Sequence, residues 1–309
     1  MKISRFIRSY WKVTLACVLM TVTSSTQGQN AFAFKIYPVQ GSVHMLEAPG
    51  AGGNIGVFSG DDGVLLVDDR FDQDVAALLE AVATITDESI DFVINTHIHP
   101  DHIGGNNKLA AYGVTILAHD SVRLRMLKEL RIPRGGGIFL DQPPLAARPV
   151  VTYSDGISFY LNDEQIKVFL APPAHTDGDS FVHFVESDVL HLGDVFRTNM
   201  YPIIDTYNGG SFLGMIDAMG LAIGIAGPDT KVIPGHGEGV ADRDDMLEVE
   251  TMLLTLRDRV QALISDGATL EQVLAAQPTL DLDARWGDEP SWTATDLLPI
   301  IYAEMKVLN

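Results

Sequence analysis

Short apolar runs separated by glycine- and aspartate-rich turns follow one another after about residue 40. Runs of this length, rich in Val, Ile and Phe and bounded by turn residues, are typical of β-strands. Apolar residues at three- and four-residue steps indicate helices instead. In the first half of the chain we therefore predict strands at 42–47, 54–59, 63–67, 91–95 and 113–118, and helices at 74–85 and 121–130.

The second half repeats this order of strands followed by helices. Ser211 follows two glycines and is a candidate N-cap. Strands and helices repeated in two halves predict an α/β fold in which two sheets pack face to face, with helices on both outer faces. The predicted strands are 157–161, 165–170, 181–185, 188–192 and 231–234, and the predicted helices are 211–225 and a C-terminal helical segment at about 241–309, with an apolar stripe from Met246 to Leu263.

Residues 132–150 break the pattern because they are rich in glycine and proline, which favours a long loop. Long loops in compact domains often cover functional sites. We expect this loop and the glycine-rich loop at 48–53 to lie over a site.

The N-terminus, residues 1–30, is predicted to be a secretory signal peptide, with 31–309 as the mature domain. A basic start precedes an apolar run at 13–22, and small residues follow it. The run is shorter than a membrane span, although an uncleaved amphipathic anchor stays open as the alternative. We therefore expect a periplasmic or secreted protein with no stable membrane insertion after signal removal. The basic residues of the start are Lys2, Arg5, Arg8 and Lys12.

The charge of the chain argues against nucleic-acid partners. Lys and Arg number 21 against 41 Asp and Glu, a formal net charge of −20, and without the four basic residues of the signal the balance is 17 against 41, or −24. Such an acidic surface repels phosphate backbones, so we expect a small-molecule substrate instead. The single cysteine, Cys17, excludes an intramolecular disulfide framework. The oligomeric state is not predicted.

Four residues that commonly bind metals lie within a six-residue stretch just after the predicted strand 91–95: His97, His99, Asp101 and His102. In an extended chain residues i and i+2 point to the same side, so His97 and His99 can converge on one point. Pro100 then turns the chain, so that Asp101 and His102 can serve a second point nearby. Imidazole and carboxylate are ligands for zinc or iron, and this density predicts a metal site.

Three later positions extend this set: His175, Asp194 and His236. Each lies at or just after a predicted strand and close to a glycine. Each alone is more often structural than functional, but together with the first cluster they predict one shared site.

At this point the sequence resembles the metallo-β-lactamase superfamily, which includes glyoxalase II and many other hydrolases. The resemblance runs from about residue 43 to about residue 237, and it is specific for the superfamily but not for the substrate. Besides the seven candidate ligands, it is carried by Gly53-Asn54-Ile55, Gly63-Val64-Leu65-Leu66-Val67-Asp68, Gly193-Asp194 and Pro234-Gly235-His236-Gly237.

The resemblance implies an αββα sandwich with metals at one edge. It further implies that His97, His99 and His175 hold a first ion, that Asp101, His102 and His236 hold a second, and that Asp194 bridges them. Asp68 matches an acid that supports the site by hydrogen bonding. Asp194 stands where well-known zinc lactamases carry cysteine or serine, so it resembles glyoxalase II and the broader hydrolases instead.

This ligand set predicts an exported dinuclear zinc hydrolase, with iron or manganese as alternative metals. Two ions can share a hydroxide by lowering the pKa of water toward ~7, and Asp101 is the predicted catalytic residue that orients it and shuttles its proton. The predicted reaction is cleavage of an amide, lactam or ester bond, with β-lactamase activity as one candidate. The alternatives are a glyoxalase-II-like thioesterase, an iron-dependent persulfide dioxygenase-like enzyme and a non-catalytic binding protein.

Two residues are candidates for substrate binding. Arg197 lies three positions after Asp194 and could clamp a substrate carboxylate, although a solvent-facing arginine is the alternative. Asn208, with Tyr207, is expected on the rim of the site. The four other histidines are expected to have structural roles: His44, His119, His183 and His191.

Overall fold

Two β-sheets pack face to face in the computed structural model, which describes residues 33–133, 137–287 and 290–307. Side chains from both sheets fill the space between them, as where the Phe58 and Phe184 rings lie 5.5 Å apart. The predicted signal peptide, residues 1–30, lies outside the described residues. Among the residues that are described, no helix is long and apolar enough to cross a membrane.

In the described part of the chain the first sheet has seven strands. The first four pair antiparallel, and the last three join them in parallel. Parallel pairing places the carboxyl ends of consecutive strands at the same edge, where sites are commonly built. In sheet order the strands are β1 (Lys35–Gln40), β2 (Val43–Glu47), β3 (Ile55–Gly60), β4 (Gly63–Val67), β5 (Ile90–Asn95), β6 (Thr115–His119) and β9 (Val151–Tyr153).

The second sheet has six strands within the same described ranges, antiparallel except for one parallel pair, β13 with β14. In order they are β10 (Gly156–Leu161), β11 (Glu164–Leu170), β12 (Ser180–Phe184), β13 (Val189–His191), β14 (Lys231–Ile233) and β15 (Ala241–Asp242). A separate antiparallel hairpin consists of β7 (Leu130–Ile132) and β8 (Ile138–Leu140).

Helices cover both outer faces. In the described chain the helices are α1 (Val75–Val82), α2 (Pro100–Ile103), α3 (Asn106–Ala111), α4 (Asp120–Arg125), α5 (Phe212–Ile225), α6 (Arg243–Ser265), α7 (Leu270–Ala276), α8 (Asp283–Trp286) and α9 (Ala294–Val307). The outer face of the first sheet packs on α1 and α3, and that of the second sheet packs on α5, α6 and α9. The predicted αββα sandwich is confirmed. The Ser211 N-cap is also confirmed, since its hydroxyl accepts the Gly214 N–H at 3.1 Å.

The structure corrects the sequence prediction in four places. Strands β1 and β9 were not predicted, because β1 is a half-exposed edge strand and β9 is a three-residue strand that exists only through its pairing with β6. The helix predicted at 121–130 ends at Arg125, and the chain enters the hairpin instead. The predicted loop 132–150 therefore contains β8, whose partner β7 lies just before it.

Candidate metal centre

Strand ends from both sheets meet at one edge of the sandwich. Asp68 follows β4 and the His97–His102 stretch follows β5 in the first sheet. Asp194 follows β13 and His236 follows β14 in the second sheet. The parallel pairs β4–β5 and β13–β14 place these ends side by side, so one cluster receives residues from both sheets.

All seven predicted ligands come together in this cluster. The side chains form three groups, and within each group the ligand atoms lie within 4.8 Å of one another. The first group is His97, His99 and His175, the second is Asp101, His102 and His236, and a third joins His97 and His102 to Asp194. All of these side chains are buried except Asp101, whose side chain is 14% exposed. The arrangement has two centres that share a region around Asp194.

The Asp194 carboxylate lies between the two centres. Its Oδ1 is 3.2 Å from His102 Nε2 and 3.3 Å from His236 Nε2. Its Oδ2 is 3.7 Å from His175 Nε2. One side chain therefore approaches histidines of both groups, as a bridging ligand must.

Hydrogen bonds behind the cluster fix which nitrogen of each imidazole carries its proton. His175 Nδ1 donates to the backbone carbonyl of Ile203 at 2.6 Å, and a carbonyl can only accept. His99 Nε2 donates to Asp205 Oδ2 at 2.7 Å, and His102 Nδ1 donates to Asp68 Oδ2 at 2.7 Å. When a ring is neutral, its opposite nitrogen carries a lone pair that points into the cluster. Burial lowers the pKa of His102, but the carboxylates of Asp194, Asp68 and Asp101 outweigh it and raise that pKa well above its usual range, so a cation, whether proton or metal, is favoured beside its inward nitrogen.

Ring nitrogens that point into the cluster face one another in pairs. His99 Nδ1 and His175 Nε2 are 2.9 Å apart, and His102 Nε2 and His236 Nε2 are 3.2 Å apart. Within the described residues, His97 Nε2 is buried with no hydrogen-bond partner. Acceptors held this close together are unfavourable unless a cation lies between them.

Charge within the cluster shifts several pKa values. Burial, with neighbouring His99, lowers the pKa of His175 to about 3, and burial beside His102 holds that of His97 well below its usual range. Burial alone would raise the pKa of Asp101, but the charges of His102 and His236 hold it well below its usual range. The imidazoles of His97 and His175 are therefore neutral and the Asp101 carboxylate is ionised at neutral pH.

Asp68 supports the cluster by hydrogen bonds to residues around the ligands, as the resemblance predicts. It is fully buried, and its two oxygens accept hydrogen bonds from the Thr96 N–H at 2.7 Å, the Thr96 hydroxyl at 2.8 Å and His102. The Thr96 hydroxyl in turn lies 3.0 Å from His97 Nδ1. One carboxylate thus orients histidines of both groups.

Sequence reasoning missed Asp205 and Arg70. Asp205, fully buried, orients His99, and its only sequence signal was an acid at the end of an apolar run. Arg70 is 2% exposed and donates to Asp74 at 2.8 Å and to backbone carbonyls of Pro49 and Gly52 at 2.9 and 3.0 Å. It therefore fixes the 48–53 loop beside the cluster.

Of the two residues predicted to bind substrate, Arg197 lines a cavity beside the cluster and Asn208 is bonded to neighbouring residues. Arg197 is 3% exposed, with its Nε 3.9 Å from Asp194 Oδ2, and it lines a cavity of about 210 Å³ that also contacts His236. Asn208 is buried, and its amide nitrogen donates to Arg131 O at 2.7 Å and to Asp205 Oδ2 at 2.5 Å. In these contacts Asn208 steadies Asp205, and its predicted substrate contact stays a prediction.

The other histidines lie outside the cluster of ligand atoms. His119 Nδ1 accepts the Ser121 N–H at the start of α4, and His191 Nδ1 accepts the Gly193 N–H. His44 and His183 lie in strands β2 and β12 and are partly exposed. The structural roles expected for His119 and His191 agree with these contacts.

Two surfaces line the approach to the cluster. The 48–53 loop and Met200 line the 210 Å³ cavity beside Arg197. A smaller cavity of about 80 Å³ lies over Asp101 and His99, and its walls are mostly apolar. The apolar wall consists of Phe71, Pro100, Ile132, Pro133 and Ile203. The loop 48–53 therefore lies beside the cluster as expected, whereas only Ile132 and Pro133 of the predicted loop 132–150 line this smaller cavity.

The sequence of this chain is similar to proteins of one family. Residues 48–263 match the family model for the metallo-β-lactamase superfamily. A hydroxyacylglutathione hydrolase from Brucella anthropi is 26% identical over 219 residues, which cover 69% of this chain and 74% of that protein.

Solved structures show the same fold at low sequence identity. A metallo-β-lactamase from Pontibacter korlensis has a TM-score of 0.59 at 15% identity, covering 72% of this chain and 99% of its own. The stereoselective inverting sec-alkylsulfatase Pisa1 from Pseudomonas sp. has a TM-score of 0.63 at 16% identity, covering 88% of this chain and 50% of its own. The chain thus spans about half the length of that alkylsulfatase.

Proposed function

Because this chain belongs to the metallo-β-lactamase superfamily, whose members are metal-dependent hydrolases, we propose that it is an exported dinuclear zinc hydrolase of an amide, lactam or ester bond. The observation that carries the proposal is the pair of ligand groups, His97/His99/His175 and Asp101/His102/His236, with Asp194 between them. Export rests on the signal-peptide pattern in the sequence alone.

The donor set fits divalent metal ions. Each group offers three nitrogen or oxygen atoms within 4.8 Å of one another, and the bonds to Ile203, Asp205 and Asp68 hold the outer nitrogens of three histidines, so that the inward nitrogens face the site. Histidine nitrogen with carboxylate oxygen is a usual zinc ligand set, and three protein ligands leave a position for substrate or water. We assign the first ion to His97, His99 and His175 and the second to Asp101, His102 and His236, with Asp194 shared.

His97, His99 and His175, with Asp101, His102 and His236, would hold divalent ions here, and such ions would lower the pKa of water toward ~7 and polarise a carbonyl oxygen. The residues of this chain then transfer the proton and position the substrate. Asp101 Oδ2 lies 3.1 Å from His236 Nε2 and lines the apolar cavity, so it can accept a proton from the attacking water and return it to the leaving group. Its low pKa keeps it ionised at neutral pH.

The two cavities suggest the shape of the substrate. The apolar wall over Asp101 suits a hydrocarbon part of the acyl group, and the Arg197 cavity on the other side suits a carboxylate. We propose an acyl compound that carries both groups. The Brucella anthropi relative favours a thioester as the second candidate, since it is a hydroxyacylglutathione hydrolase.

Replacing Arg197 with methionine tests the carboxylate clamp. We expect KM for a carboxylate-bearing substrate to rise about tenfold to hundredfold, because a hydrogen bond to a charged group contributes about 1.5–3 kcal/mol. KM for the corresponding methyl ester should change little, and Arg197→Lys should recover part of the affinity. Equal effects on the acid and its ester would contradict the clamp.

Metal analysis joined to a substrate panel tests the proposed function as a whole. We expect two zinc ions per purified chain and measurable hydrolysis of at least one β-lactam, lactone, ester or thioester. One iron per chain with sulfur-dependent oxygen uptake would instead establish the dioxygenase alternative. Faster turnover of S-acylglutathione than of all other substrates would establish the thioesterase.

Export has a separate test. The protein recovered from the periplasm or medium should begin near residue 31, whereas an N-terminus at Met1 on membrane-bound protein would establish the uncleaved anchor.

A further inference from the structure

Residues 201–205 form a buried segment that belongs to neither sheet. Tyr201 is 1% exposed and Asp205 is fully buried, and the residues between them are buried as well. Backbone polar groups at such depth need partners, and without a neighbouring strand they must find them elsewhere. The partners of this segment lie on two sides of it.

On its inner side the segment holds two predicted metal ligands. The Ile203 carbonyl accepts His175 Nδ1–H at 2.6 Å, and Asp205 Oδ2 accepts His99 Nε2–H at 2.7 Å. The Asp205 N–H also donates to the His175 carbonyl at 2.9 Å. Two of the three histidines in the first group thus take their orientation from this one segment.

On its outer side the segment is tied to the C-terminal helices. The Trp292 indole Nε1–H donates to the Pro202 carbonyl at 3.0 Å, and the Tyr201 hydroxyl donates to Asp283 Oδ1 at 2.8 Å. The Tyr201 N–H donates to the Trp286 carbonyl at 2.7 Å. These partners all lie beyond residue 263, where the match to the family model ends.

The second group of ligands is supported differently. His102 is held by Asp68 at the end of β4, and Asn95 Nδ2 donates to the His102 carbonyl at 3.1 Å. Both supports belong to the first sheet. A disturbance of residues 201–205 therefore reaches His99 and His175 directly but not His102.

We propose that the C-terminal helices form part of the support of the metal centre, with Trp292 and Tyr201 as positioning residues for His99 and His175. Trp292 fixes Pro202, one residue before the carbonyl that orients His175, and Tyr201 fixes the start of the same segment. The inference rests on the proposed function for the identity of the ions, and it predicts that loosening this segment weakens one of the two sites selectively.

The test is Trp292→Phe in the purified full-length chain, with zinc removed by a chromophoric chelator in competition. We expect one of the two dissociation constants to rise about tenfold, because partners of ligating histidines commonly contribute 10–100-fold to metal affinity, and the other to stay unchanged. His236→Gln identifies the sites, since His236 belongs to the second ligand group only and its loss should weaken the ion that Trp292→Phe spares.

Trp286→Phe is the matched control. It removes an indole of the same size from the same region, 4.7 Å from the Arg285 guanidinium, but keeps the backbone carbonyl that accepts from Tyr201. It should leave both affinities unchanged. Tyr201→Phe provides a second, smaller change, which should weaken the same ion as Trp292→Phe, and thermal melting reports whether each variant is folded.

A readout without metal separates this inference from the proposed function. In the metal-free protein, ¹⁵N NMR of the histidine side chains should show altered tautomer signals for His99 and His175 in Trp292→Phe, with those of His102 unchanged. Unchanged signals and affinities in a folded Trp292→Phe variant would overturn the inference, as would equal weakening of both ions. A wild-type chain that binds no zinc would contradict the proposed function alone.

Discussion

Replacing Asp194 with asparagine is expected to reduce kcat/KM about a thousandfold or more. The Asp194 carboxylate approaches His102, His236 and His175 at 3.2, 3.3 and 3.7 Å, so both ligand groups share its charge. The charges of His236 and His102 hold its pKa well below the usual range despite burial, which otherwise raises it. Asparagine keeps the size of the side chain but removes the charge that would offset the two proposed cations, and bound ions would supply several kcal/mol of transition-state stabilisation in such a site.

Initial rates and metal content of the same Asp194→Asn preparation provide the measurement. We expect less than two zinc ions per chain together with the loss of rate. Asp258→Asn is a suitable control, because Asp258 is 69% exposed on α6 and pairs only with a neighbouring arginine among the contacts that the described chain records for it. An Asp194→Asn variant that keeps full metal content and rate would show that Asp194 does not bridge the ions.

Replacing Asp101 with asparagine is expected to lower kcat about a thousandfold while KM changes little. Positioned general bases contribute about 10²–10⁴-fold, and Asp101 is the predicted ligand with the greatest access to the cavity. The asparagine amide oxygen can still contact a cation, but the amide cannot accept a proton at neutral pH. The loss should therefore persist when the variant is saturated with zinc.

The saturation experiment distinguishes the two roles of Asp101. Recovery of the full rate at high zinc would mean that Asp101 is a ligand only, and the proton-transfer role would be wrong. Asp72→Asn, which changes an exposed carboxylate paired with Lys108 at 3.0 Å, should leave kcat unchanged.

The resemblance gave the site in advance because its ligands are chemically distinctive. His97, His99, Asp101 and His102 stand within a six-residue stretch just after a buried strand, and few structural needs place four such groups together. Apolar spacing also predicted the inner strands, since burial on both faces requires nearly continuous apolar runs, as in Val64–Val67 of β4. The family match then confirmed the fold.

Residues whose function depends on distant partners were not predictable in this way. The sequence around Asp205 and Trp292 carries no periodic or motif signal, and the two lie far apart along the chain. Their importance comes from the carbonyls and imidazoles that folding brings to them. Strand β9 was missed for the same reason, because three residues become a strand only beside β6.

The amino-acid sequence by itself determined the alternation of strands and helices, the acidic charge and the identity of the seven groups that face the centre. These properties follow from side-chain chemistry and local spacing, which every segment carries with it. Only the tertiary structure decided which nitrogen of each histidine faces inward and which backbone segment holds it there. That outcome depends on hydrogen bonds between residues far apart in the chain, such as Ile203 with His175, and the geometry of such bonds exists only once both sheets and the C-terminal helices have packed together.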